Sequence, residues 1–425
     1  MYVAPEIIKK KKGFNLHLIK TNKFKTNTLI FKMKAPLEEE TVTKRSLLQS
    51  VLQSNTKKYP SGIEFRTYLE DLYGASLNGQ VDKKGDYHII TLCLEIANEK
   101  FLNESDSLIE KAIQLLSEMI LHPNVTENKF NEQTIDREKQ TLSQKILSIY
   151  DDKLKYATSK LIETMCEQEA YALNETGILE NLDEITAKSL YKYLKKVLAE
   201  DELDLYIIGD FNIQETERIV DRYFTFSERT VRQVQRFEQR KFLGVKKVIE
   251  KKNVKQGKLH IGYRTNTVYT DEDYYALQVF NGIFGGFSHS KLFINVREKE
   301  NLAYYSSSIS ESYKGFIFVM SGIETNKFEQ TVKVIQEQMN EMKKGNFNEG
   351  EISQTKAVIK NRLLRAIDFP RGHVEILYHN VIAKVDTPID EWIAKIQAVT
   401  KDEIVRVSQK IELDTIYFLS GLEAQ

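Results

Sequence analysis

Cysteine and proline are scarce in this chain: two and six in 425 residues. Two thiols, Cys93 and Cys166, build no disulfide framework, and their scarcity fits a reducing compartment. Six prolines leave no Pro-rich linker and no low-complexity tract. Neither sign of charge prevails, with 61 basic and 61 acidic side chains, so no global field draws nucleic acid or a lipid surface. The local run Lys9-Lys10-Lys11-Lys12 reads as a solvated turn ahead of the first strand, not as a nucleic-acid contact. No apolar run reaches the length of a membrane span. Met1-Tyr2-Val3-Ala4-Pro5 opens no signal peptide, because no long apolar stretch follows the first charges. A cytoplasmic location is the expectation. What is present is an ordinary globular composition, in a chain long enough for two or more domains.

Taken in order, the residues alternate between strand and helix patterns. Asn15–Ile19 and Thr28–Met33 read as strands, and Thr43–Ser54 as a helix with Leu47, Leu48, Val51 and Leu52 on one face. Ser61 caps a helix through Phe65, Leu69 and Leu72. Asp86–Ile96 is a strand, with Cys93 as a core residue, and Leu108–Ile120 an amphipathic helix stopped near Pro123. Helices follow over Asn131–Tyr150, Asp152–Cys166 and Thr186–Ala199, then a strand, Asp204–Gly209, and a helix, Glu215–Tyr223. Residues 227–256 are rich in Arg, Gln and Lys and make the best linker, with Leu243–Ile249 as a strand inside it.

The second half repeats this order. Leu259–Arg264 is a strand, Asp273–Phe284 a helix, Phe316–Met320 a strand, and Phe328–Met342 and Glu351–Arg365 are helices. Val399-Thr400-Lys401-Asp402-Glu403-Ile404 matches Ile185–Leu190, with Thr400 and Glu403 spaced as a capping box. Thr415–Gly421 matches Asp204–Gly209. This is a duplicated α+β unit of about 200 residues, not a solenoid of short repeats. The expected architecture is two homologous domains, 1–226 and 257–425, each a mostly antiparallel sheet flanked by helices.

Within the second copy, Leu292, Phe293 and Val296 give Leu292–Glu300 the spacing of a helix with one buried face. Arg297 lies just past that strip, and Tyr304 follows where the pattern turns to a strand. Taken alone they are a surface arginine and a half-buried tyrosine, although both can donate hydrogen bonds to a carbonyl oxygen. The element order, the duplication and the run Ser290-Lys291-Leu292-Phe293 to Val296-Arg297-Glu298-Lys299 and Leu302-Ala303-Tyr304 together resemble the insulinase (pitrilysin) superfamily of zinc peptidases. The likeness is greatest to its two-domain subunits, such as those of mitochondrial processing peptidase. It implies that Arg297 and Tyr304 contact the substrate and the scissile carbonyl. It also implies that Gly285, Gly286, Phe287 and Ser288 stand in a substrate-binding glycine-rich loop, shorter here than in the non-catalytic processing-peptidase subunit. From the residues alone that loop is a helix C-cap and turn, and it lacks the Gly-Lys-Ser/Thr of a phosphate loop.

The zinc motif that the resemblance requires, His-x-x-Glu-His on the first long helix, is missing. Its place falls on Ser46-Leu47-Leu48-Gln49-Ser50. Glu138 matches the first of two glutamates on the later helix, but the ligand position falls on Lys145. Serine hydroxyls are not usual zinc donors, an amide takes no proton from water at neutral pH, and an ammonium repels the metal. His373 and His379 are six apart and lie on different helix faces, so they suggest no metal pair, and Cys166 has no base near it in sequence to make it a nucleophile.

The resemblance therefore implies a zinc-free subunit of a heterodimeric peptidase, with no metal or cofactor of its own and no activity alone. Zinc would sit in a homologous partner subunit, and Arg297 and Tyr304 would complete that partner's site on a peptide substrate. Two other readings stand beside it: an inert assembly protein that keeps the fold, and an autonomous metallopeptidase with an unusual zinc site.

Overall fold

The computed structural model describes residues 4–102, 107–227, 229–232 and 244–422. From the N-terminus the chain forms β1 (Glu6–Lys11), β2 (Phe14–Lys20), β3 (Thr26–Pro36), α1 (Glu39–Leu52), α2 (Gly62–Asp71), β4 (Ser76–Lys84), β5 (Tyr87–Ala97) and α3 (Leu108–Leu121). A short ribbon, β6 (Val125–Thr126) and β7 (Lys129–Phe130), leads into α4 (Glu132–Asp151), α5 (Lys153–Met165) and α6 (Ala187–Glu200). Then come β8 (Glu202–Gly209), α7 (Ile213–Tyr223), β9 (Lys246–Lys252), β10 (Gly257–Arg264) and α8 (Tyr274–Asn281). The remainder is β11 (Ala303–Glu311), β12 (Phe316–Ile323), α9 (Phe328–Lys343), α10 (Glu349–Ile367), α11 (Pro370–Ala383), α12 (Ile389–Ala398), α13 (Lys401–Gln409) and β13 (Glu412–Gly421). Between α8 and β11 lie two π-helical stretches, Gly282–Gly286 and Leu292–Lys299. No described helix is long and apolar enough to cross a membrane.

Local chemistry sets many of the boundaries. Ser61 with Glu64, Asn348 with Glu351, and Thr400 with Glu403 form capping boxes, and Pro370 occupies the first turn of α11, where its missing N–H costs nothing. Asp152 accepts from the amides of Leu154 and Lys155 and so starts α5 one residue after α4 ends.

The chain folds into two compact units that interleave in sequence. The first gathers 1–148, 173–236 and 370–374; the second gathers 149–172, 237–369 and 375–425. Helix α5, inside the 1–226 half, thus belongs to the second unit, and the start of α11 belongs to the first. Of the expected linker 227–256, residues 228 and 233–243 lie outside the described residues. Its described part includes β9 and Arg229, whose guanidinium donates to the carbonyls of Gly13, Leu198 and Asp201 at the end of α6.

The first unit holds a six-stranded sheet in the order β1-β2-β8-β3-β5-β4, and the second a five-stranded sheet in the order β11-β12-β10-β13-β9. Among the described strands only β2 with β8 and β9 with β13 run parallel; the other pairs are antiparallel. Reading β9-β13-β10-β12-β11 against β2-β8-β3-β5-β4 gives the same succession and the same senses, which is the structural form of the sequence repeat. Each sheet packs its apolar face on helices. In the first unit Leu16, Phe31, Leu92 and Leu205 meet Leu48, Leu116, Leu142 and Leu190. In the second Leu259, Val319 and Phe418 meet Leu277, Ile335 and Ile404. A separate cluster of Tyr156, Leu161, Met165, Phe316, Phe318 and Tyr417 joins α5 to strands of the second sheet. Gly262 leaves the space that the Met165 sulfur fills, 2.5 Å from where a Cβ would stand.

One sequence expectation is corrected. Lys9, Lys10 and Lys11 are not a turn; they lie in β1, the strand that covers the edge of β2. The Lys11 ammonium reaches Glu217 at 2.7 Å and Asp221 at 2.9 Å on α7, and these neighbours let an otherwise repulsive run lie in a strand.

Candidate functional site

Helix α1 carries Ser46, Gln49 and Ser50, the three positions to which the resemblance assigns metal binding and water activation. Ser46 and Gln49 are buried and Ser50 is half-buried. The Ser46 hydroxyl donates to the Glu175 carbonyl at 2.8 Å, and the Ser50 hydroxyl turns back to the Ser46 carbonyl at 3.5 Å. The Gln49 amide lies over Gly79 on the edge strand β4, 2.1 Å from where a Cβ would stand, and its nitrogen has no hydrogen-bond partner. Next to Ser46, Arg45 is fully buried. Its guanidinium donates to Asp201 at 2.6 Å and to the carbonyls of Met33 and His88 at 2.6 and 3.1 Å, which fixes α1 against the sheet. On α4, Leu142 and Ile146 point into the core, while Lys145, one residue off that stripe, is exposed. Glu138 pairs with its neighbour Arg137 at 2.9 Å. Two hydroxyls, an amide and an ammonium do not fit zinc. Among the described residues no three His, Cys, Asp or Glu side chains come together as a metal-binding group.

The Arg297–Tyr304 corner is built differently. Ser290 starts the helical stretch: its carbonyl accepts from Ile294 at 2.9 Å and its hydroxyl from Phe293 at 3.4 Å. Leu292 and Val296 are buried, and Asn295 donates to Gln338 on α9 at 2.6 Å. The stretch closes with wide bonds, from the Glu300 amide to the Asn295 carbonyl and from the Leu302 amide to the Val296 carbonyl. Asn301, at φ 49°, then turns the chain into β11. Arg297 is exposed, its guanidinium 4.7 Å over the Phe293 ring and 3.5 Å from Glu298. In the β11–β12 ladder Ala303 faces Ile323 and Tyr305 faces Gly322, so Tyr304 is the extra residue of a β-bulge. The bulge turns its phenol outward, and Tyr304 is 62% exposed. Arg297 and Tyr304 therefore flank one turn at one end of an edge strand, both exposed. Tyr305 differs: Gly322 makes room for its ring, and burial pushes its phenol up to about 12.

The glycine-rich loop divides in the same manner. Gly285 is buried where β11 crosses it; Gly286 and Phe287 are half-buried, and Ser288 is exposed. Phe287 lies under the Arg362 guanidinium at 4.3 Å, and His289 bonds the Thr355 hydroxyl at 2.9 Å, so α10 holds the loop.

His373 and His379 both lie on α11. His373 is buried, and desolvation pulls it down to about 4. His379 bonds the Tyr313 hydroxyl. Cys93 and Cys166 are buried and form no disulfide; burial pushes Cys93 up, against the pull of the Arg371 guanidinium. The sequence reading missed His17, which is buried, stacked on Tyr206 at 4.0 Å and bonded to Glu6 and Asp204 at 2.7 and 3.2 Å. Burial disfavours its charge, but the bonds to Asp204 and Glu6 prevail and raise it to about 9.

The probable inactive metalloprotease YmfF of Bacillus subtilis (strain 168) is 48% identical over 423 residues, covering 100% of this chain and 99% of its own. The chain belongs to the M16 peptidase family, the insulinase and pitrilysin group. The model of the peptidase M16 inactive domain matches residues 184–359, a span that includes Arg297 and Tyr304. A conserved protein from Enterococcus faecalis V583 superposes with a TM-score of 0.91 at 37% identity, covering 99% of both chains. A protease from Helicobacter pylori shares the fold, with a TM-score of 0.85 at 15% identity over 99% of this chain and 100% of its own. In this M16 chain Ser46, Gln49, Ser50 and Lys145 offer no usual zinc donor, while Arg297 and Tyr304 of the second unit are exposed.

Proposed function

We propose that this M16 chain is the zinc-free subunit of a two-chain peptidase, without hydrolytic activity of its own. The observation that carries this is the asymmetry between its two candidate sites. Ser46, Gln49 and Ser50 are packed or turned onto backbone, whereas Arg297 and Tyr304 stand exposed beside one turn, with the tyrosine lifted out of the ladder by a bulge. The name of YmfF, a probable inactive metalloprotease, agrees with a chain that does not hydrolyse peptides alone. A homologous partner would carry zinc on its own first helix. Arg297 would hold the backbone of a peptide substrate, and Tyr304 would donate to the oxyanion that forms on the scissile carbonyl. Gly285 to Ser288 would border the peptide.

Co-purification from the native cell, followed by peptide cleavage with and without chelator, tests the proposal. The expected result is a homologous zinc-bearing chain in the complex and cleavage that the chelator abolishes. A chain that purifies without such a partner, and adds nothing to the activity of a homologous zinc subunit, would leave the inert assembly role instead.

A further inference from the structure

The residue after Tyr304 leads to a second feature of the same unit. The Tyr305 ring and the Gln256 amide share the space that Gly322 leaves on β12. The Lys258 ammonium stands 5.5 Å from the centre of that ring and donates to the Gln256 amide oxygen. Lys258 and Gln256 line a cleft of about 380 Å³, together with Lys255 and with Asp152, Lys153 and Leu154 at the start of α5. Three ammonium groups, of Lys153, Lys255 and Lys258, thus face one carboxylate, that of Asp152. The carboxylate is already engaged. It accepts from the Leu154 and Lys155 amides at 3.0 and 3.2 Å and lies 3.7 Å from the Lys155 ammonium. Among the described residues the partners of Lys258 are an amide oxygen and a ring face, and burial pulls its pKa down. The Tyr305 hydroxyl is buried without a hydrogen-bond partner and lies within reach of the Asp152 charge. A partly desolvated ammonium without a counter-ion gains more from an arriving anion than a solvated one does.

We propose that this cleft binds a carboxylate of a peptide. Carboxylates are the groups of an ordinary peptide that are anionic at neutral pH, and Lys258 and Tyr305 both have protons to donate. In the ladder Tyr305 and Lys258 both face Gly322, so their backbones are two strand spacings apart, about 10 Å, or about three residues of extended peptide. A peptide whose carbonyl meets Tyr304 would therefore carry its acidic group about three residues away. That spacing rests on the proposed function; the preference of the cleft for a carboxylate does not.

Fluorescence anisotropy on the full chain tests the cleft with three labelled nonapeptides of one alanine-serine sequence. The first has a central Glu and an amidated end, the second a central Gln and an amidated end, and the third a central Gln and a free C-terminal carboxylate. At least one carboxylate peptide should bind about tenfold more tightly than the neutral one, and the gain should shrink in about 0.5 M NaCl. A gain with the first assigns the cleft to an acidic side chain, and a gain with the third to a chain end. Lys258→Met should abolish the gain, Lys255→Gln should reduce it, and Lys333→Met, exposed on α9 outside the cleft, should keep it. Equal affinity for all three peptides, or no binding, would overturn the proposal. So would a gain left whole by Lys258→Met, or by Lys255→Gln if the first variant does not fold. Turnover of a zinc-bearing pair with Tyr304→Phe is a separate readout. A silent Tyr304→Phe beside an intact acid preference would remove the peptidase role and keep the cleft.

Discussion

Gly285→Ala separates a packing role from a ligand-binding role for the glycine-rich loop. A Cβ at 285 would stand 2.5 Å from the Ser308 hydroxyl, 2.6 Å from Leu292 Cδ1 and 2.8 Å from the Ser308 amide nitrogen. The hydroxyl could yield only by leaving Asn281, to which it donates at 2.7 Å, at a cost of about 1 kcal/mol. The amide nitrogen cannot yield without shifting β11 in its ladder. Overpacking of this kind costs about 1–3 kcal/mol, and the better helical propensity of alanine returns about 1 kcal/mol. The net expectation is a loss of about 1–3 kcal/mol. Gly286→Ala is the internal comparison. Its Cβ would meet only the Asn281 carbonyl and side chain, at 3.1 and 3.2 Å, so its cost should stay below about 1 kcal/mol. Denaturant unfolding at constant m-value measures both. Equal stability of Gly285→Ala and wild type would refute the steric argument. It would leave contact with a ligand as the reason for glycine at 285.

Other consequences can be measured on the isolated chain. His17 titrates near 9 when folded against about 6.5 when unfolded. Its contribution is therefore fully present below the lower value and is lost as pH rises through the upper one. It amounts to about 3 kcal/mol, and His17→Asn should flatten the unfolding free energy between those pH values. Arg45→Met leaves Asp201 buried without its partner and should cost about 3–5 kcal/mol by denaturant unfolding. Ser61→Ala removes one side of a capping box and should cost about 1 kcal/mol. EDTA should leave the melting temperature of the isolated chain unchanged, because hydroxyl, amide and ammonium groups at 46, 49, 50 and 145 hold no zinc for it to remove.

The duplicated order of strands and helices was legible because both faces of the signal were present: apolar periodicity within elements and capping residues at their ends. Strand β4 was not. Its sequence, SLNGQVDKK, puts only Leu77 and Val81 on the core face, with Gly79 between them, so the alternation is too thin to mark a half-buried strand. Helices α11 and α12 were also unread. For α11 the reason is visible in Pro370-Arg371-Gly372-His373, where Gly372 breaks the helical pattern in the first turn, behind a proline that could equally open a loop. At the candidate sites, the resemblance pointed to Arg297, Tyr304 and the positions 46, 49, 50 and 145, because the family pattern places residue types at fixed intervals. The bulge at Tyr304 left no such trace, because it is a register shift between β11 and β12. The bond from Ser46 to Glu175 could not be read either, as the two are 129 residues apart and meet through a backbone carbonyl.

The most direct measurement is the turnover of a homologous zinc-bearing subunit with this chain added, in wild-type form and as Tyr304→Phe. Removal of one oxyanion donor lowers kcat by about 10²–10³, or about 3–4 kcal/mol. The expected result is a loss of that size in the pair, with unchanged assembly and zinc bound to the other chain. An unchanged rate with Tyr304→Phe would contradict the supply of Tyr304 to a partner's active site.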